Sequence, residues 1–186
     1  MCAAALLALT ACGQNAGTAG QRDYGLGRAA TPSEIAAVDI DAGPDGAGLP
    51  RGRGTVDQGA AVFAAKCAAC HGPGGAGVYP VYPALVGRDP RAADFPFATD
   101  PNIRRTIGDY WPYATTVFDY VRRAMPFATP GSLTVDETYS VTAYLLAANK
   151  IIAGDAVLDS ASLTAVKMPS RDRFVRDNRR GRAEIR

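Results

Sequence analysis

Three segments of the chain carry apolar residues at the three- and four-residue spacing of an amphipathic α-helix. The first segment begins at Asp57, and its apolar stripe consists of Gly59, Val62, Phe63, Cys67 and Cys70. The second spans about residues 116–124, and its stripe consists of Val117, Tyr120, Val121 and Ala124. The third has the stripe Val141, Tyr144, Leu145 and Ala148. Each stripe predicts a helix that buries one face in a common core.

Two capping boxes mark where helices begin. Thr134 and Glu137 have the spacing at which each side chain caps the other residue's backbone N–H, so the third helix is predicted to begin here. Thr31 and Glu34 form a second box, with Pro32 at the first helical position, and predict a short helix through about Val38. Residues 39–54 and 72–101 contain Gly and Pro at short intervals and are predicted to be irregular. Because few strand-like alternations occur, the predicted fold class is all-α.

Length and composition allow one core. The 186 residues are 47% hydrophobic, which suits a single domain with tails. We expect a leader at residues 1–12, a tether and wrapping segment at 13–54, a helical domain at 55–150, and a C-terminal extension with a basic tail at 151–186. The net charge of +2 is too small to favour a nucleic-acid partner, and no phosphate-binding glycine loop is present.

Residues 67–71, Cys-Ala-Ala-Cys-His, carry the most specific chemical signal in the chain. A zinc site of paired cysteines needs a second pair, but the other cysteines, Cys2 and Cys12, lie far upstream. A redox-active C-x-x-C should follow a strand, whereas helical periodicity precedes Cys67. The remaining interpretation is one covalently bound haem c, with Cys67 and Cys70 attached to the porphyrin and His71 bound to iron.

The second axial ligand must come from elsewhere, because His71 is the only histidine. Methionine is the best candidate, since a thioether stabilises ferrous iron. Met125 closes a helix with an apolar stripe, and Pro126 forces it out of helical geometry. Met168 lies beyond the last core helix in a charged stretch, where a surface or packing role is expected. We therefore predict Met125 as the ligand.

Residues 104–113 contain donors that could neutralise haem propionates. The stretch IRRTIGDYWPY supplies two arginines, two phenols and the indole N–H of Trp111. We predict that Trp111 contacts a propionate. The competing interpretation makes Trp111 an ordinary core aromatic and the arginines a solvated face.

The N-terminal run MCAAALLALTAC is apolar but too short to span a bilayer. Its end, Leu9-Thr10-Ala11-Cys12-Gly13, resembles the lipobox of bacterial lipoproteins, in which the cysteine is acylated. Cys12 would then anchor the protein to a membrane on its periplasmic side. A plain secretory leader with a spare cysteine is the alternative.

The helices, the CAACH motif, Pro83-Ala84-Leu85-Val86-Gly87 and Met125-Pro126 together resemble the class I cytochrome c fold over about residues 55–150. The resemblance implies that Gly59 and Phe63 contact Tyr144. It further implies that the Pro83 carbonyl accepts a hydrogen bond from His71 and that Leu85 packs on the haem face.

A narrower resemblance covers nearly all of the mature chain. The stretches YGLGRAATPSEIAAVDID, IRRTIGDYWPYATTVFDYVRRAMPF and KMPSRDRF resemble the monohaem cytochrome c subunits of bacterial sulfite or sulfane dehydrogenases in sulfur oxidation. This implies a molybdenum dehydrogenase subunit as electron donor and a downstream cytochrome or oxidase as acceptor, with no catalytic site in this chain. Two alternatives remain. The donor could be another periplasmic dehydrogenase, such as a quinoprotein alcohol dehydrogenase, or the chain could be a haem enzyme or sensor with an open sixth position.

Overall fold

The structure, a computed structural model, describes residues 26–175 and divides the chain into two units, Met1–Val38 and Asp39–Arg186. In the first unit, α1 spans Pro32–Val38 and buries none of its residues. Glu34 accepts from the Thr31 amide at 2.8 Å and pairs with Arg28, so the predicted capping box is confirmed. Cys12 and the last eleven positions of the basic tail lie outside the described residues.

The second unit contains the three helices that the apolar stripes predict. The elements in chain order are β1 (Arg53–Thr55), α2 (Val56–Lys66), α3 (Ala68–His71), α4 (Ala114–Ala124), α5 (Val135–Ala148), β2 (Val157–Asp159) and α6 (Ser160–Thr164). Helix α5 begins at the predicted box of Thr134 and Glu137. Helix α4 begins two residues earlier than predicted, after Tyr113, whose side chain makes no cap hydrogen bond. None of the helices in residues 26–175 is both long and apolar enough to cross a membrane.

Helices α2 and α5 pack directly against each other. A Cβ atom at Gly59 would collide with the carbonyl oxygen of Ser140 and lie 2.8 Å from Cβ of Tyr144. One turn later, the rings of Phe63 and Tyr144 lie 5.1 Å apart. The predicted contact of Gly59 and Phe63 with Tyr144 is therefore confirmed.

Helix α4 completes the main core through Phe118, which is fully buried and lies 4.5 Å from the Tyr139 ring of α5. Burying such aromatic and aliphatic side chains is the main source of stability in a domain of this size. The other fully or nearly fully buried members are Phe63, Ile107, Ala114, Val117, Val121, Leu133, Val141, Ala143, Leu145, Leu146, Leu158, Leu163 and Met168.

A short antiparallel sheet, which the sequence did not predict, is formed by β1, directly before α2, and β2, which follows α5. Strand β1 pairs with β2 so that Gly54 faces Leu158. A Cβ atom at Gly54 would collide with the Ser140 amide, so glycine lets this strand lie against α5. The strand leads into α2 through a capping box in which Thr55 and Gln58 cap each other.

Residues 39–54 pack on the helical body and do not form a free tether. The Ala42 amide donates to the buried Asp119 carboxylate at 2.8 Å, and Arg122 donates to the Ile40 carbonyl at 3.1 Å. The Tyr139 hydroxyl donates to the Pro50 carbonyl at 2.9 Å. This segment therefore covers the helical body itself.

The C-terminal extension also joins the core. Leu163 is fully buried and Met168 is 4% exposed, both within the main core. The Ser170 hydroxyl donates to the Trp111 carbonyl at 2.7 Å. The folded body thus extends from Asp39 through the described C-terminal residues, which is larger than the predicted domain at 55–150.

Candidate functional site

The CAACH motif forms a single helical turn. Helix α2 ends at Lys66, and Cys67 separates it from α3 with φ −125° and ψ −36°. The carbonyl of Cys67 then accepts from the amides of Cys70 at 3.1 Å and His71 at 2.9 Å. The apolar stripe predicted one continuous helix through Cys70, whereas the structure breaks the helix at Cys67. Both thiols and the imidazole consequently belong to one compact turn.

Two glycines end this turn. Gly72 has φ +72°, a conformation that residues with a Cβ rarely adopt. A Cβ at Gly72 would also lie 2.7 Å from the Gly77 carbonyl oxygen. The Gly77 amide donates to the His71 carbonyl at 2.7 Å, so the chain folds back directly behind the histidine.

The two cysteines are free thiols in different environments. Cys67 is partly buried against the main core, and burial raises the pKa of its thiol. Cys70 is exposed. One thiol therefore lies at the core boundary and the other at the surface of the same turn.

His71 has the only buried side-chain nitrogen or oxygen without a hydrogen-bond partner among the described residues, its Nδ1 atom. A buried polar atom left unpaired costs about 1–3 kcal/mol, so such an atom indicates a missing partner or a functional role. The predicted hydrogen bond from His71 to the Pro83 carbonyl is not formed in this structure. The edge of the imidazole instead meets the Tyr82 ring, with centroids 6.3 Å apart.

Met125 follows α4 in extended conformation, with φ −121° and ψ 148°, while its amide still donates to the Val121 carbonyl at 3.1 Å. The predicted departure from helical geometry before Pro126 is therefore confirmed. Its side chain is partly buried against the main core. Met168 is buried within that core, as expected of a packing residue. The assignment of Met125 as axial ligand stays a prediction.

The loop that carries Pro83 and Leu85 is held by hydrogen bonds. The amides of Leu85 and Val86 both donate to the Gly75 carbonyl, at 2.8 and 3.0 Å. Leu85 is partly buried against the main core. The sequence predictions missed Asn149, whose buried side chain forms hydrogen bonds with the backbone of Leu85 and Gly87 in this loop.

The indole N–H of Trp111, the only donor of this side chain, has a hydrogen-bond partner within the protein. Its indole N–H donates to the Thr116 hydroxyl at 2.8 Å, and its ring lies 5.8 Å from that of Tyr120. A contact of Trp111 with a haem propionate stays a prediction. Arg104 and Arg105 are exposed, and Arg105 donates to the Phe97 carbonyl at 2.8 Å.

These residues fit a c-type haem. The turn presents two free thiols beside a histidine whose Nδ1 atom is buried and unpaired, and such an atom indicates a missing partner or a functional role. Cys67 and Cys70 would hold the porphyrin, and His71 and Met125 would bind the iron. The bound group would supply reversible one-electron oxidation and reduction.

Comparisons with known proteins indicate the family to which the chain belongs. The family described as "Cytochrome C oxidase, cbb3-type, subunit III" matches residues 54–145, which include the CAACH turn and Met125. The chain is similar to the crystal structure of the sulfane dehydrogenase SoxCD from Paracoccus pantotrophus, with 44% identity and a TM-score of 0.72. That similarity covers 84% of this chain and 73% of the other. The comparison with curated proteins gave no match.

The chain belongs to the class I c-type cytochromes. Its helical architecture confirms the predicted fold, with a small two-stranded sheet added. As a cytochrome c, it binds haem c and carries electrons. Within that class, it is structurally similar to a component of SoxCD.

Proposed function

We propose that this chain is a monohaem cytochrome c that accepts electrons from a molybdenum sulfite- or sulfane-oxidising dehydrogenase subunit and passes them to a downstream cytochrome or oxidase. The haem is attached covalently through Cys67 and Cys70, and it is the only one because the chain has a single C-x-x-C-H motif. Electron transfer is outer-sphere in this proposal, and His71 and Met125 would both bind the iron.

The similarity to SoxCD is the observation that carries the choice of donor. At 84% of 186 residues it covers about 156 residues, well beyond the range 54–145 that the cytochrome family itself matches. A shared haem fold alone would account for the smaller range. The similarity, at 44% identity to a sulfane dehydrogenase, therefore includes segments that pack around the haem domain.

The cytochrome operates on the periplasmic side of a membrane in this proposal. The sequence Leu-Thr-Ala-Cys at residues 9–12 supports acylation of Cys12. An acyl chain contributes about 0.8 kcal/mol per buried methylene group, so a multiply acylated cysteine holds a protein on the membrane in high salt. With a complete signal sequence supplied, wild type should stay in the membrane fraction after a salt wash, and Cys12→Ser should release it or block processing. An unmodified N-terminus elsewhere in the mature protein would exclude the anchor.

Reduction assays test the donor. The purified cytochrome should be reduced by sulfite, or by a sulfane substrate, only when the molybdenum subunit is present. The control replaces that subunit with a quinoprotein alcohol dehydrogenase and its alcohol. A cytochrome that stays oxidised in the first mixture and is reduced in the second would assign it to a different dehydrogenase. Carbon monoxide binding to the reduced wild-type protein would instead indicate an open sixth position.

A further inference from the structure

Asn149, which follows the last residue of α5, connects this helix to the loop at residues 85–87. Its side chain is 3% exposed. The Oδ1 atom accepts from the Gly87 amide at 3.1 Å, and Nδ2 donates to the Leu85 carbonyl at 3.2 Å. Nδ2 also donates to the Leu145 carbonyl of its own helix at 2.8 Å. One buried side chain therefore satisfies both the helix end and two backbone groups of a loop about sixty residues away in sequence.

Residues 106–108 hold the same loop through a second set of hydrogen bonds and contacts. The Thr106 hydroxyl donates to the Gly87 carbonyl at 2.6 Å, and the Ile107 amide donates to the Leu85 carbonyl at 3.1 Å. Gly108 lies directly against Asn149, because a Cβ there would be 2.6 Å from the Asn149 Oδ1 atom. The loop is thus fixed between Asn149 and residues 106–108.

This loop packs against the chain that directly follows the turn of His71. The amides of Leu85 and Val86 donate to the Gly75 carbonyl, and a Cβ at Gly77 would lie 2.6 Å from the Ala84 amide. The Gly77 amide in turn donates to the His71 carbonyl. A continuous series of hydrogen bonds and close contacts therefore runs from Asn149 to the backbone of His71.

We propose that Asn149 is a positioning residue of the haem site, which sets the reduction potential by fixing the loop that carries Pro83 and Leu85 against the turn of His71. The inference rests on the proposed attachment of haem at this turn. Groups that surround an iron ligand tune the potential through hydrogen bonds and through exclusion of water. A loosened loop admits water, and water stabilises the more highly charged ferric state. Loss of the Asn149 bonds should therefore lower the reduction potential.

Two uncharged variants separate the loop bonds from the helix bond. Asn149→Leu keeps the side-chain size and removes all three hydrogen bonds. In Asn149→Ser, the introduced hydroxyl can still donate to the Leu145 carbonyl, as Thr142 and Ser140 donate to the carbonyls four residues before them. It is too short to bond both Leu85 and Gly87. Both variants avoid a new charge, which would itself shift the potential.

Thr142→Val is the matched control. Thr142 is fully buried on α5, and its hydroxyl donates to the Thr138 carbonyl of the same helix at 2.7 Å. The substitution removes a buried hydrogen bond from α5 without removing a bond to the loop. It should lower the denaturation midpoint and leave the reduction potential at the wild-type value.

The measurements are the reduction potential, from a spectroscopic redox titration, and amide hydrogen exchange at Gly87. Both Asn149 variants should have a lower potential than wild type, and the Gly87 amide should exchange roughly ten-fold faster, as expected for loss of one net hydrogen bond. Wild-type potential in Asn149→Leu, together with a reduced denaturation midpoint like that of Thr142→Val, would show that Asn149 is only structural and would overturn the proposal.

Two further results keep the test decisive. If Asn149→Leu does not fold, Asn149→Ser and Thr106→Val replace it, because Thr106→Val removes the hydrogen bond to the Gly87 carbonyl from the other side. Wild-type potential in both of these variants would equally overturn the proposal. A wild-type protein without haem would refute the proposed function instead, and unchanged Gly87 exchange in Asn149→Ser would then refute the role of Asn149 in holding the loop.

Discussion

The rings of Phe63 and Tyr144 lie 5.1 Å apart where α2 packs against α5, one helical turn from the contact between Gly59 and Ser140. This arrangement fixes the position of the CAACH turn, because Cys67 follows Phe63 by one turn and its amide donates to the Phe63 carbonyl at 2.9 Å. The close approach of the two helices therefore determines where Cys67, Cys70 and His71 lie.

Gly59→Ala should destabilise the protein, although alanine is the better helix former. Relieving glycine's helix penalty gains at most about 1 kcal/mol. The added Cβ collides with the Ser140 carbonyl, a backbone atom that cannot rotate away, and overpacking of this kind costs about 1–3 kcal/mol. We expect a net loss, measured as a lower urea midpoint.

Gly154→Ala is the control for this substitution. A Cβ at Gly154 meets no atom within 4 Å, so the same chemical change should leave the urea midpoint unchanged or slightly higher. A midpoint for Gly59→Ala equal to that of wild type would mean that α2 and α5 are farther apart than the structure shows.

The two internal methionines should respond differently to truncation. Met125→Ala should abolish the weak far-red absorption band of methionine bound to ferric iron, while a folded protein remains. Met168→Ala should keep that band and lower stability by about 2–5 kcal/mol, because Met168 is 4% exposed in the main core. Absorption spectra and denaturation curves of both variants give the comparison, and loss of the band only in Met168→Ala would reverse the ligand assignment.

The parts of this structure that could be predicted from sequence are those with local signals. The stripes of α2, α4 and α5 repeat at helical spacing, and the CAACH motif is compact, so both were identified from neighbouring residues. The start of α2 also had such a signal, the capping pair Thr55 and Gln58, which the sequence predictions overlooked.

The remaining features depend on partners far apart in sequence. Strands β1 and β2 have three residues each, too few to show an alternating pattern. In the sequence, Asn149 is an ordinary residue at the end of a helix. Its hydrogen bond with Gly87 depends on a loop that is distant in sequence. Residues 39–54 are rich in Gly and Pro, and they are held mainly by backbone groups whose acceptors and donors lie on α4 and α5. Hydropathy contains no information about such bonds.

Asp119 should contribute acid-sensitive stability. The Arg123 guanidinium donates hydrogen bonds to the Asp119 carboxylate and lowers its pKa. Burial raises this pKa by a smaller amount, and the hydrogen bond from the Ala42 amide lowers it further. The pKa of Asp119 therefore lies below its ordinary value. A carboxyl group with a depressed folded-state pKa stabilises the fold above its unfolded pKa of about 3.9, and the contribution is lost as pH falls through the folded value. Asp119→Asn keeps an acceptor for Ala42 and removes the ion pair.

We expect Asp119→Asn to lower the free energy of unfolding by on the order of 1 kcal/mol near neutral pH. The difference between variant and wild type should begin to shrink below about pH 4, where Asp119 of the unfolded chain begins to be protonated, and should vanish as pH falls through the lower folded-state pKa. Urea denaturation at several pH values measures this difference. Asp155→Asn, at an exposed position, should differ little from wild type at any pH. A constant difference for Asp119→Asn from neutral pH down to about pH 3 would contradict the ion-pair explanation.

Two truncations should separate the contribution of the residues before Asp39 from that of residues 39–50, which pack on the helical body. A mature chain that starts at Asp39 lacks α1, none of whose residues is buried, and should keep the wild-type haem spectrum and denaturation midpoint. A chain that starts at Arg51 also lacks Ala42 and Pro50, so the buried Asp119 carboxylate and the Tyr139 hydroxyl each lose a partner. Each lost partner costs about 1–3 kcal/mol, so this second chain should unfold at a clearly lower denaturant concentration. Equal midpoints for the two truncations would show that residues 39–50 are dispensable for the fold and free to contact a partner instead.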